Sequence, residues 1–124
     1  MLTADKFAKC QATFEHAWKC SDGDLEICIS GEEHRPCETA LAMANRLLTK
    51  LESSKAAALK LLRAFVRLED DWSFDGIEVS PAGKKVGTVD IQLSHGNDLY
   101  GFWVVTLTLI HDDPLPVSFC RVQT

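Results

Sequence analysis

The chain has 124 residues, of which 46% are hydrophobic and 25% charged, and a net charge of −5. That length suits one domain with one core, and the composition excludes disorder as the default state. An acidic surface argues against binding nucleic acid or an anionic membrane, and it favours solubility and a basic protein partner.

The first ten residues read equally as a short helix or an extended lead-in. Thr13 to Lys19 alternates with period two, with Phe14, His16 and Trp18 on one face, as a half-buried strand does. Ser21-Asp22-Gly23-Asp24 is a turn with an Asp-Gly pair. Leu25 to Ser30 alternates again and predicts a strand with Leu25, Ile27 and Ile29 facing inward. Pro36 suits the first turn of a helix, where a missing N–H costs nothing. Ala40, Leu41, Ala44, Leu47, Leu48 and Leu51 then follow helical spacing. Ser53 and Ser54 are N-cap candidates for a second helix, with Ala58, Leu61, Leu62, Phe65 and Val66 as its apolar stripe and Glu69-Asp70-Asp71 at its end. So short a join predicts an antiparallel helix hairpin or a kinked pair.

From Trp72 the period changes to two. Strands are expected over Ser73–Val79, Val86–Leu93, Leu99–Ile110 and Val117–Val122, the third of them central. Turns fall at Ser80–Gly83, Ser94–Asp98 and Asp112–Pro116, and the prolines of the last fit a turn and an edge. The order ββ-αα-ββββ defines an α+β class, with an antiparallel sheet and a helix pair packed on one face. No internal repeat, linker or low-complexity segment interrupts this single domain.

The opening Met1–Lys6 has no basic segment leading into an apolar run, and no apolar stretch reaches the ~18 residues of a membrane helix. The expectation is a cytoplasmic protein. Cys10, Cys20, Cys28, Cys37 and Cys120 are odd in number with no CxxC pair, so they are expected as reduced thiols, Cys28 packed within its strand.

No catalytic, cofactor or metal motif stands out. His34 and Cys37, with Cys28 and Glu38 nearby, make one loose pair where a structural zinc site has two close ones. Cys37 beside a helix N-terminus has a reason for a lowered pKa, but nothing selects a base among His16, His34, His95 and His111. His16 is expected among core aromatics, His95 and His111 in turns. Pro81 to Lys85 lacks the second glycine and the Ser/Thr of a phosphate loop, and reads as a hairpin turn with exposed lysines. Adjacent acids point apart, so Asp112-Asp113 and Glu69-Asp70-Asp71 do not form a converging acid–base pair. The second cluster sits badly against the negative end of a helix dipole, a local conflict of the kind retained for binding. Trp18, Trp72, Phe74, Phe102 and Trp103 read as core, or as the lining of a small cavity.

In layout, size and charge the chain resembles small bacterial immunity proteins, which neutralise toxins delivered by contact-dependent or type VI systems, and it is similar to several small bacterial domains of unknown function. The resemblance implies a non-enzymatic domain that occludes a basic toxin. The expected contact residues are Glu32, Glu33, Glu69, Asp70, Asp71, Asp112 and Asp113. An enzymatic or small-molecule-binding domain, with a pocket between helices and sheet, is the alternative. A homodimer joined through a strand edge is a third arrangement.

Overall fold

The computed structural model describes residues 1–12, 14–79, 88–109 and 113–124. Its strands are β1 (Ala8–Cys10), β2 (Ala17–Asp22), β3 (Leu25–Ser30), β4 (Trp72–Val79), β5 (Thr88–His95), β6 (Asp98–Thr108) and β7 (Leu115–Gln123). Helices α1 (Glu38–Thr49) and α2 (Leu51–Phe65) lie between β3 and β4 in the chain. All seven strands form one sheet in sequence order, antiparallel except for the parallel pair β3–β4 that the helices bridge. The α+β class and the single helix layer follow the expectation, but the order is βββ-αα-ββββ.

The extra strand comes from the lead-in. A 3-10 turn at Ala4–Lys6 precedes β1, and Leu2 and Phe7 are buried. The Leu2 N–H donates to Asn45 Oδ1 (2.8 Å) and Asn45 Nδ2 donates to the Leu2 carbonyl (2.9 Å), which ties this segment to α1. The strand expected from residue 13 begins only at Ala17, because His16 takes φ 53° and breaks the extended run. His16 is therefore half-buried in a bend and not among core aromatics. Gly23, at φ 62°, opens the two-residue turn into β3, a conformation glycine adopts without strain.

Pro36 stands two residues before α1 and pairs with Gly31; Cys37 is the N-cap. Lys50 alone joins the helices, so α2 starts ahead of both expected caps. Ser53 Oγ instead donates back to the Lys50 carbonyl (3.0 Å), while Ser54 is wholly buried. One residue is too short for a reversal. The pair is kinked, with α1 over β3, β4 and β5 and α2 over β6 and β7.

Alternation then decides the core. Ile27, Ile29, Ile77, Val79, Val89, Ile91, Leu93, Val105 and Leu107 meet Ala40, Ala44, Leu47, Ala58 and Leu62 from the helices. Each large aliphatic side chain so buried contributes ~1.5–3 kcal/mol before the entropy of ordering it. Phe65 departs from the expected stripe: it is 69% exposed and lies against Phe119 of β7, ring centroids 5.5 Å apart. Trp18, Trp72, Phe74, Phe102 and Trp103 are only part-buried, at the margins of the core or on the open face. Strand β6, expected to be central, is sixth of seven, and β7 is an edge. The expected turn at 80–83, the lysine loop to Lys85, Val86, Ile110, His111 and Asp112 lie outside the described residues.

Candidate functional site

Sheet order separates the seven acids. Glu32 and Glu33 follow β3, at the end of the sheet where β7 begins, and Asp113 precedes β7 at that same end. Four strand spacings, roughly 19 Å, lie between those two places. Glu32 is engaged with Arg35 (3.4 Å) and Glu33 lies 3.9 Å from His34, all on exposed side chains. Glu69, Asp70 and Asp71 precede β4 and so sit at the opposite end, roughly 25 Å away along an eight-residue strand. Asp112 lies outside the described residues.

The Glu69–Asp71 turn is the more elaborately held of these acids. Helix α2 ends at Phe65, so the carboxylates are four residues clear of its dipole and the expected conflict does not arise. Asp70 and Asp71 both adopt left-handed backbone, φ 47° and 59°. Two consecutive non-glycine residues there store strain, which persists only where the surroundings fix the chain. Three contacts do so. Trp72 Nε1 donates to the Leu68 carbonyl (3.1 Å), His95 Nε2 donates to the Glu69 carbonyl (3.0 Å), and the Gly96 N–H donates to the Asp71 carbonyl (3.2 Å).

His95 was expected in a turn, yet it ends β5 and is 4% exposed. Its Nδ1 accepts the Asn97 N–H (3.0 Å), so the two bonds select the neutral Nε2–H tautomer. Trp72 packs edge-on to the ring at 4.8 Å. Behind it stands an ion pair, Asp98 with Arg121, that no local sequence pattern marks. Asp98 accepts two bonds from Arg121 (2.7 and 2.8 Å) and one from Trp103 Nε1 (3.2 Å). The Arg121 hydrogen bonds hold the Asp98 carboxyl below its ordinary value. A depressed carboxylate pKa means that the pair stabilises the fold above the ordinary carboxylate range, and that this is lost as pH falls through the lowered value. An acid titration followed by thermal unfolding should therefore show wild type losing stability below about pH 4, with Asp98→Asn losing distinctly less over the same interval.

A cleft of about 770 Å³ runs beside this turn, lined by Arg63, Val66, Arg67, Glu69 and Asp70. Leu99 and Tyr100, at the same end of the sheet, are 78% and 71% exposed, and Phe65, next to Val66 of the cleft, is 69% exposed. Carboxylates, two arginines and large exposed side chains are thus grouped around the turn.

The thiols and the open face offer less. Cys37 Sγ lies 2.9 Å from the Thr39 hydroxyl, which lowers its pKa together with helix N-terminal N–H groups, while His34 points to solvent. Burial pushes the Cys28 thiol up to about 12, with neighbouring Cys10 adding to it. Among the described residues no group of three or more His, Cys, Asp or Glu side chains is placed to hold a metal ion. A 180 Å³ cleft on the open face is bordered by Lys19, Glu26, Cys28 and Glu78, and burial raises the Glu78 carboxyl. Among the described residues no helix is long and apolar enough to cross a membrane. No family model, curated protein or solved structure matches the chain, so the functional reading rests on its own geometry.

Proposed function

We propose that the chain is a non-enzymatic protein-binding domain, an immunity protein that binds and blocks a basic toxin through the Glu69–Asp71 end of its sheet. The observation that carries this reading is the acidic turn itself: two strained aspartates, fixed by a buried histidine, beside exposed Phe65, Leu99 and Tyr100. Proteins keep backbone strain chiefly where a site needs pre-organised groups. A turn whose backbone is held loses little entropy when its carboxylates meet cationic side chains; the carboxylates steer encounter, while the apolar neighbours supply affinity. Glu32, Glu33, Asp112 and Asp113 are secondary in this proposal, because the described three lie far from the turn.

Charge reversal tests the reading. In stopped-flow or surface measurements against the partner, Glu69→Lys/Asp70→Lys should slow association by at least about tenfold at low salt and flatten its salt dependence. An unchanged on-rate would remove Glu69 and Asp70 from the interface.

A further inference from the structure

The two edges of the sheet are unlike. β1 is three residues long and carries Lys9, which blunts it against pairing. β7 is nine residues long, and among the described residues nothing pairs with its outer side. The Thr124 N–H donates to the Tyr100 carbonyl (2.9 Å), and the register continues through Val122–Phe102 and Cys120–Val104. Alternation therefore turns the N–H and C=O groups of Phe119, Arg121 and Gln123 away from β6, toward the free edge. Leu115 and Val117 beside them are 58% and 51% exposed. The only charged side chain on the strand, Arg121, is already neutralised by Asp98. Pro116 and the register shift beside it blunt the start of this edge, but from Ser118 to Gln123 it lacks the lysines, inward charges and brevity with which sheets defend themselves.

We infer that β7 is a self-association edge that pairs antiparallel with β7 of a second copy of this chain, joining two seven-stranded sheets into one. A second copy is favoured over a foreign strand by symmetry and charge. A two-fold axis at Phe119, the midpoint of Leu115–Gln123, sets Phe119 opposite its counterpart, where the outward N–H and C=O of each copy meet those of the other. It keeps both helix layers on one face, so that Phe65, seated on Phe119 in each copy, meets its counterpart over the axis. Two chains of charge −5 repel over most of their surfaces, but the seam is uncharged apart from the compensated Arg121. The antiparallel arrangement sends the two acidic turns to opposite ends, both uncovered. The inference does not rest on the toxin-binding reading, though it takes Phe65 into the seam and leaves Leu99 and Tyr100 as the apolar neighbours of the acidic turn.

Light scattering on the full chain, under reducing conditions because Cys120 is exposed, tests it. Wild type should give twice the 13.8 kDa chain mass at micromolar concentration. Phe65→Glu/Val117→Lys changes two surface residues and should raise the dimer dissociation constant at least about tenfold, with an unchanged far-UV spectrum. Gln123→Pro deletes one outward N–H without touching the bonds to β6, and should act in the same direction. A monomeric wild type, or both variants remaining dimeric, would overturn the inference.

Discussion

Replacing His95 with leucine is expected to cost ~2–4 kcal/mol of stability and to loosen the acidic turn. The side chain is buried, and both its ring nitrogens are used, one by the Glu69 carbonyl and the other by the Asn97 N–H. Leucine fills similar space but leaves those two backbone groups without partners, each at ~1–3 kcal/mol. It also removes the edge-on contact with Trp72. Denaturant unfolding measures the loss. Hydrogen exchange of the 66–72 amides should accelerate in the variant more than exchange in β5 or β6, because the turn holds its left-handed backbone only while its carbonyls are anchored. A stability change within ~0.5 kcal/mol would show that His95 is not what holds the turn.

Gly76→Ala should cost about as much, ~3 kcal/mol, by a different route. Gly76 lies in β4 where the parallel pairing with β3 meets a register shift against β5. A Cβ there would stand 2.6 Å from the Glu26 carbonyl oxygen, an atom of the neighbouring backbone. Backbone inside a ladder cannot yield as a side-chain tip does, so β3 and β4 must part locally. Gly23→Ala is the control: it meets open space and suffers only from its φ of 62°, for ~1 kcal/mol. Equal losses at the two positions would contradict the crowding explanation.

The fold was legible wherever one face of an element is buried and the other wet. Leu25, Ile27 and Ile29 alternate because β3 is covered on one face, and Ala40, Ala44 and Leu47 recur because α1 lies flat on the sheet. Legibility failed where a pattern arose without a ladder. Phe14, His16 and Trp18 imitate period two, but the left-handed turn at His16 interrupts the run before β2 begins. β1 left no signal, since two of its three residues are exposed and the third is half-buried. The single-residue joint at Lys50 concealed the start of α2, because Ser53 and Ser54 serve equally as residues of a first turn.

The candidate site was half legible for a related reason. Acidic runs are visible in any sequence, and Glu69-Asp70-Asp71 was found as one. Its separation from Glu32-Glu33 depends on β3 and β4 running parallel across a helical connection, a long-range fact that no local pattern contains. His95 was assigned to a turn on the strength of the Gly-Asn pair that follows it. Only the three-dimensional neighbourhood shows that it reaches back 26 residues to bind the Glu69 carbonyl. Asp98 and Arg121 are likewise joined across the β6–β7 register, 23 residues apart in sequence.

We propose that this surface binds and blocks a basic protein. Affinity capture of the tagged chain from lysate of its own source cells, followed by native mass spectrometry, tests it most directly when wild type and Glu69→Lys/Asp70→Lys are run side by side. The expected result is a stoichiometric basic protein held by wild type and lost from the double variant, whose toxic activity is suppressed by the former and not the latter. A bare chain carrying a small-molecule adduct, or a basic partner retained equally by both proteins, would contradict the claim.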